Sequence, residues 1–372
     1  MAGACLLLTA RRLSFSPMSA NPTTWRQAEQ QAFQNEKGSI DPVGAILGAI
    51  ATTVPLMIGV ATGHTQLGLF ASLGGLNVAL GLTAGTQSTR IRWGLTVLIG
   101  TTLAVALATL VHNIEWLTFL MTFLWVAFWS AWRIAGTAGV LTGFVTSAVF
   151  IITVGIPAPS STLTGHTLAY LGGGAIALTL FLLFVKARPD NSEVPAKIPL
   201  RSAWTSLRGN QLVLQYSLRC ALMITGVTVI YIVLHLPQGW WIAMAVLSVL
   251  QPDAGATKIR AIQRGVGTFA GAAAAAVVIS FTHSQIALIL CIGVVAGALF
   301  ALKNLGYHWM IMLLTPIIIF MLSIASFQGW AIAEARIIDT FIGIAFTVAI
   351  ATLTDAIVLR ERKHRSTNDA AV

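Results

Sequence analysis

The stretch ARPDNSEVPAKIPLRSAWTSLRGNQ, residues 187–211, is the longest polar segment between the apolar stretches of the chain. Its combination of proline and charged residues is typical of a connection between larger units. The segment therefore divides the chain into a first half, residues 43–186, and a second half, residues 212–357. Residues 1–42 and 358–372 are then polar tails.

The composition on both sides of this linker is that of a membrane protein. Hydrophobic residues make up 56% of the chain and charged residues only 9%, whereas about 25% of a typical soluble domain is charged. A helix that spans a bilayer needs about 20 mostly apolar residues. The sequence predicts an all-α membrane protein with about twelve such helices. They lie near residues 43–61, 67–85, 94–111, 116–132, 136–154, 167–185, 212–234, 238–254, 265–282, 285–302, 308–325 and 337–357.

The basic residues in the connections predict the topology. Lysine and arginine concentrate in alternate connections, and short loops rich in these residues face the cytoplasm. The cytoplasmic set includes Arg90, Arg92, Arg133, Lys186, Lys258, Arg260, Arg264, Lys303 and the basic tail at residues 360–365. We therefore expect both termini in the cytoplasm, the bacterial inner membrane as the location, and the lipid bilayer as the main partner.

The two halves share an internal pattern. Four pairs of like residues are separated by the same number of positions, namely His64 and His235, Gly94 and Gly265, Gly100 and Gly271, and His112 and His283. An even number of helices in each half makes the two copies parallel rather than inverted. The sequence thus predicts two parallel six-helix repeats.

Several function classes are excluded by what the chain lacks. Its net charge of +10 comes from short scattered clusters, which form no continuous basic face for a nucleic acid. No nucleotide-binding loop, zinc-protease histidine pair or serine-hydrolase elbow is present. The three cysteines have no metal-binding or disulfide spacing. We expect no enzyme activity, no cofactor, no metal and no nucleic-acid partner.

The strongest local signal is QPDAGATKIRAIQRGVGTFAG, residues 251–271, a corner that leads into a helix. Arg260 and Arg264 are four residues apart and therefore share one helical face. Two guanidinium groups at a cytoplasmic opening could bind a carboxylate bidentately, with Thr257 and Lys303 as further substrate-binding or gating candidates. The alternative is that these cations only anchor helices at lipid headgroups and set the topology.

Two other patterns concern packing and protons. Gly267 and Gly271 have the spacing that lets two helices approach closely. Arg336 and Asp339 can pair on one face of the last predicted span, and Asp355 follows toward its cytoplasmic end. These acids are candidates for proton coupling, although a structural ion pair near the outer surface explains Arg336 and Asp339 equally well.

Together these residues resemble a known family. The resemblance rests on Pro252, Thr257, Arg260, Arg264, Gly267, Thr268 and Gly271, and on the pattern Arg336-x-x-Asp339-x-x-x-Gly343. They are similar to the signature of the fusaric acid resistance (FUSC) family, which includes aromatic acid exporters. The resemblance implies two six-helix halves and the export of small organic acids, in particular aromatic carboxylic acids.

Two alternatives to a secondary exporter remain open. The architecture also resembles plant malate channels, and a passive organic-anion channel needs only a basic pore. The second alternative is a membrane subunit of a multi-component efflux system that works with a periplasmic adaptor. In each case we expect a small organic anion as the substrate and a homo-oligomer as the assembly.

Overall fold

The computed structural model of the chain describes residues 24–34, 38–82, 85–156, 159–186, 210–282, 284–326 and 329–369. These residues form helices joined by short connections, and no strand occurs among them. The α-helices are α1 (Trp25–Ala32), α2 (Pro42–Ala61), α3 (Thr65–Gly81), α4 (Gln87–Val111), α5 (Glu115–Ala131), α6 (Gly136–Gly155), α7 (Leu163–Phe184), α8 (Gln211–Val233), α9 (Trp240–Val249), α10 (Ala254–Phe281), α11 (Gln285–Leu302), α12 (Tyr307–Ser326) and α13 (Gly329–Asp369). Short 3-10 turns lie at Trp132–Ala135, Ser160–Thr162 and Lys303–Leu305.

Capping side chains determine where several of these helices begin. The Asp41 carboxylate accepts a hydrogen bond from Gly44 N at 2.8 Å, and Pro42 occupies the first turn of α2. Asp253 accepts one from Ala256 N at 2.8 Å at the start of α10. Such caps satisfy backbone donors that a helix start leaves without an intrahelical partner.

The outer surface of the bundle is apolar in stripes. Side chains on α2 and α4 that are exposed in the protein alone recur every three or four residues, with one longer step on α4, and are Val43, Ile46, Ile50, Val54, Ile58, Ile91, Leu95, Ile99, Leu103 and Leu110. Water-soluble proteins rarely expose contiguous apolar surface on this scale. Within the described ranges, nine stretches are long and apolar enough to cross a membrane by length and composition. The predicted all-α membrane class is confirmed.

Each predicted span overlaps a helix, but three of these helices are short. α3 and α5 have 17 residues each and α9 has only 10, and every residue of α9 is buried. α9 ends at Val249 because the chain turns at Gln251–Asp253, which contains Pro252. The helix is therefore shorter than the predicted span at 238–254. The ten residues of α9 do not by themselves cross a bilayer.

Helix contacts join the two halves closely. α2 packs on α11, and α5 packs on α8. Within the halves, α3 packs on α7 as α9 packs on α13, and α4 packs on α6 as α10 packs on α12. α4 also contacts α7, as α10 contacts α13.

The ends of the chain differ from the predicted tails. Helix α1, within the predicted tail at 1–42, packs against α10 and buries Ala28 and Ala32. α13 begins before and continues beyond the predicted span at 337–357. The predicted linker lies outside the described residues except for its last two positions, 210 and 211.

Candidate functional site

Helix ends from both halves surround one cavity. Its volume is about 240 Å³, and its lining includes Trp129, Arg133, Tyr216, Gln251, Arg260 and Tyr307. The lining positions lie at the end of α5, in the turn that follows it, in the first half of α6, near the start of α8, at and just after the end of α9, and near the starts of α10 and α12. These are helix ends that the charge pattern assigns to the cytoplasm.

Arg133 supplies the positive charge from the first half. It lies in the 3-10 turn Trp132–Ala135, and its guanidinium carbon is 4.4 Å from the centre of the Tyr216 ring. The Tyr216 hydroxyl donates to Leu250 O at 3.2 Å, which fixes the ring. Arg133 Nε is buried and donates to no described residue.

Arg260 supplies a second positive charge from the second half. Its guanidinium carbon lies 4.0 Å from the centre of the Tyr307 ring. One of its terminal nitrogens, Nη1, is buried and has no hydrogen-bond partner among the described residues. Two stacked guanidinium groups with unused N–H donors thus line the same cavity.

The corner before α10 holds the polypeptide beside this cavity. Gln251 N donates to Thr257 Oγ1 at 3.1 Å, and Thr257 Oγ1 donates to Asp253 O at 2.8 Å. Arg219 Nη2 donates to Gln251 O at 2.5 Å. The Thr257 hydroxyl is therefore occupied within the corner, and this predicted site residue holds Gln251 in place.

Arg264 is buried, whereas the sequence pattern placed it with Arg260 at the cytoplasmic opening. Its side chain is 1% exposed and lies beside Tyr307, and Nε and Nη2 have no partner among the described residues. Because each residue advances a helix by about 1.5 Å, Arg264 is one turn further into the bundle than Arg260. The two arginines share the face directed at Tyr307, but only Arg260 lines the cavity.

Arg336 and Asp339 are also buried inside the protein. Their exposed fractions are 1% and 9%. The Arg336 guanidinium carbon lies 3.7 Å from the centre of the Trp241 ring, and Asp339 Oδ2 has no hydrogen-bond partner in the described part of the chain. The Arg336 guanidinium therefore stacks on Trp241 of α9. Asp339 still interacts electrostatically with Arg336. The backbone of Asp355 belongs to α13, and its side chain lies outside the described residues.

Lys303 is separated from the arginines. Its Nζ donates to Ala79 O at 3.4 Å and lies 5.0 Å from the centre of the Phe300 ring. It does not line the cavity. The structure therefore does not group Lys303 with Arg260 in one opening.

Gly267 and Gly271 face α12. A Cβ added at Gly267 would lie 3.2 Å from Met312 N, and one added at Gly271 would clash with Met312 O and lie 3.0 Å from Pro316 Cδ. The absence of side chains lets the backbones of α10 and α12 approach closely at these two positions.

Sequence reasoning used Arg133 only for topology and did not connect it with Arg260. The available signal was an arginine directly after the aromatic run FWSAW, residues 128–132, at a helix end. The described residues contain no group of three or more His, Cys, Asp or Glu that could hold a metal ion. The site offers cation, aromatic and N–H chemistry, which suits binding of an organic anion.

The fold and the cavity define a multi-pass α-helical membrane protein with a basic, aromatic site between its helices. Residues 224–350 match the family described as fusaric acid resistance protein-like, which confirms the resemblance for this part of the chain. The matched segment contains Arg260, Tyr307 and the buried arginines, whereas Arg133 lies outside it. No solved structure matches the chain.

Similar proteins are known in two bacteria. The chain is 32% identical over 127 residues to the uncharacterized protein YhfK of Escherichia coli, a match covering 34% of this chain and 18% of that protein. It is 30% identical over 131 residues to the uncharacterized protein ORF2 of Neisseria gonorrhoeae, covering 35% and 31%. It is 33% identical over 115 residues to the inner membrane protein YccS of Escherichia coli, covering 30% and 16%. Each match thus spans less than a third of the relative.

Proposed function

We propose that the protein is a secondary transporter of the bacterial inner membrane that exports small organic acids, in particular aromatic carboxylic acids. The observation that carries this proposal is the pair Arg133 and Arg260, which line one cavity with buried N–H groups that no described residue accepts. Guanidinium groups bind carboxylates through strong charge-assisted hydrogen bonds. An organic acid would satisfy these donors when it enters.

The walls and size of the cavity favour a single aromatic ring. Trp129, Tyr216 and Tyr307 contribute aromatic surface around the two arginines. The volume is about 240 Å³, whereas an apolar cavity of about 150 Å³ holds benzene. A benzoate-sized ligand therefore fits with room for ring substituents.

The architecture in this proposal has twelve spans in two parallel six-helix repeats, with both termini in the cytoplasm. The short helix α9 crosses together with its non-helical flanks at 234–239 and 250–253. The recurring helix contacts support it, because α3 with α7 corresponds to α9 with α13, and α2 with α11 corresponds to α8 with α5. Since the cavity has walls from both halves, rocking of one half against the other would change its access.

The remaining roles are assigned by position. Asp339 and Asp355 are the candidates for proton coupling, with Arg336 near the former. Arg264 and Lys303 are candidates for gating rather than first contact. A homo-oligomer and a periplasmic adaptor are the proposed protein partners, and the related inner membrane protein YccS supports the location.

Flux through purified protein in liposomes tests the function. Radiolabelled benzoate is the probe, with and without an imposed pH gradient, and empty liposomes give the background. Accumulation that collapses with the gradient supports a coupled carrier. Single-channel currents carried by benzoate would favour the passive channel instead, and flux that requires an added adaptor would favour the efflux subunit.

A matched variant makes the same assay specific for the cavity. Arg92 is an exposed arginine of α4 that does not line the cavity. Arg92→Gln should transport like the wild type, whereas Arg260→Gln should lose most transport. Equal transport by both variants would contradict the proposal.

A further inference from the structure

Two buried arginines lie on neighbouring helices, outside the lining of the cavity. Arg264 on α10 and Arg336 on α13 are each 1% exposed, and the two helices pack against each other. The positive charge of Arg264 acts on Arg336, and the phenol of Tyr307 interacts with both side chains. This pair is separate from the cavity, whose lining contains neither residue.

Four N–H-bearing nitrogens of this pair are unused. Arg264 Nε and Nη2, and Arg336 Nε and Nη1, are buried without a hydrogen-bond partner among the described residues. A buried donor without an acceptor costs about 1–3 kcal/mol, and more when the group is charged. The protein therefore contains a concentration of unsatisfied donors in its interior.

The neighbouring groups do not balance the charge. α9 contributes the aromatic ring of Trp241, and α12 contributes the phenol of Tyr307. Asp339, on the same helix as Arg336, is the acidic residue that interacts electrostatically with the pair in the described part of the chain. Two cations and one carboxylate leave one positive charge.

This excess charge has few ways to be removed. Arginine keeps its proton in proteins, and an uncompensated charge inside a membrane protein is expensive. Because both side chains are only 1% exposed, a small counter-ion suits this position better than a large one. A small anion with several accepting directions would satisfy both the charge and the free N–H donors.

We propose that Arg264 and Arg336 bind a small monovalent inorganic anion of the size of chloride. Asp339 opposes this binding by its negative charge and so sets its strength. The anion stabilises the contact between α10 and α13 and is distinct from the organic acid that enters the cavity.

Thermal unfolding of the purified protein tests this site without a transport assay. Unfolding temperatures are compared in sodium chloride, sodium gluconate and sodium benzoate at equal ionic strength. We expect chloride to raise the unfolding temperature of the wild type relative to gluconate, and Arg336→Gln to abolish this difference. Arg92→Gln, away from the site, should keep it.

Asp339→Asn supplies a second test in case Arg336→Gln does not fold. Removing the competing charge should lower the chloride concentration needed for half-maximal stabilisation about tenfold. Equal unfolding temperatures in chloride and gluconate would overturn the proposal, as would a chloride effect unchanged in both Asp339→Asn and Arg336→Gln. Stabilisation by benzoate alone would also overturn the inorganic-anion assignment. Failure of benzoate transport would leave this inference intact, because the readouts are independent.

Discussion

The guanidinium of Arg260 lies 4.0 Å above the ring of Tyr307, and Tyr307 also lies beside Arg264. One phenol therefore interacts with a cavity arginine and with a buried arginine. Arginine stacked on an aromatic ring loses some side-chain freedom, but its N–H groups lie in the guanidinium plane and stay available to a ligand. This geometry makes Arg260 a pre-oriented donor at the cavity wall.

Replacement of Arg260 should reduce anion recognition strongly. A hydrogen bond to a charged group contributes about 1.5–3 kcal/mol, so Arg260→Gln should weaken benzoate binding by about 10- to 150-fold. Arg260→Lys keeps the charge but loses the planar fork, and should fall between glutamine and wild type. Benzoate titration of the purified variants measures this order. Lysine no better than glutamine would show that the charge alone contributes little.

Tyr307 should act through its ring rather than its hydroxyl. The phenol side chain interacts with the buried Arg264, which does not line the cavity, whereas the ring lies against the cavity residue Arg260, and a cation–π contact contributes about 0.5–2 kcal/mol. Tyr307→Phe should bind benzoate like the wild type, and Tyr307→Ala should bind more weakly. If phenylalanine impairs binding as much as alanine, the hydroxyl is a direct ligand contact.

The close approach of α10 and α12 should depend on Gly271. Alanine there would place a Cβ against Met312 O, and such overpacking costs about 1–3 kcal/mol. Gly226 on α8 is the matched control, because a Cβ there meets nothing within 4 Å. Thermal unfolding in detergent should show a lower midpoint for Gly271→Ala and little change for Gly226→Ala. Similar midpoints for the two variants would contradict the packing role.

The docking of α1 should depend on Gln263. Its Nε2 donates to Ala32 O at 2.8 Å and joins the buried face of α10 to the end of α1. Gln263→Leu removes this bond, so amide hydrogen exchange over residues 24–34 should become faster. Gln215→Leu, at an exposed position of α8, is the control and should leave exchange there unchanged. Unchanged exchange in both variants would mean that α1 is held by its other contacts.

The all-α membrane class followed from composition because apolar length and charge scarcity are local properties of the chain. The burial of Arg264 and Arg336 could not be predicted from the sequence. Hydropathy indicates where helices end, but not how each helix is rotated against its neighbours. The sequence pattern placed Arg264 at the opening and paired Arg336 with Asp339. In the fold, Tyr307 and Trp241 from other helices provide the surfaces against which these arginines lie.

The sequence also did not predict that Arg133 and Arg260 line the same cavity, because it does not show how the helices pack. The two residues are distant in sequence and belong to different halves, and only packing of the helix ends brings them to one cavity. Lys303 is the opposite case. Its charge and position in the sequence predicted a residue beside Arg260 at the cytoplasmic opening. Its ammonium group instead interacts with Ala79 O and Phe300.

The central claim is that Arg133 and Arg260 bind the same organic anion. Benzoate affinity of the purified wild type, Arg133→Gln, Arg260→Gln and the double variant measures this directly as a double-mutant cycle. Because both side chains would contact one ligand, we expect each single variant to weaken binding and the double variant to deviate from the sum of the two free-energy changes. Wild-type affinity in Arg133→Gln, or strict additivity with effects no larger than that of Arg92→Gln, would contradict the account.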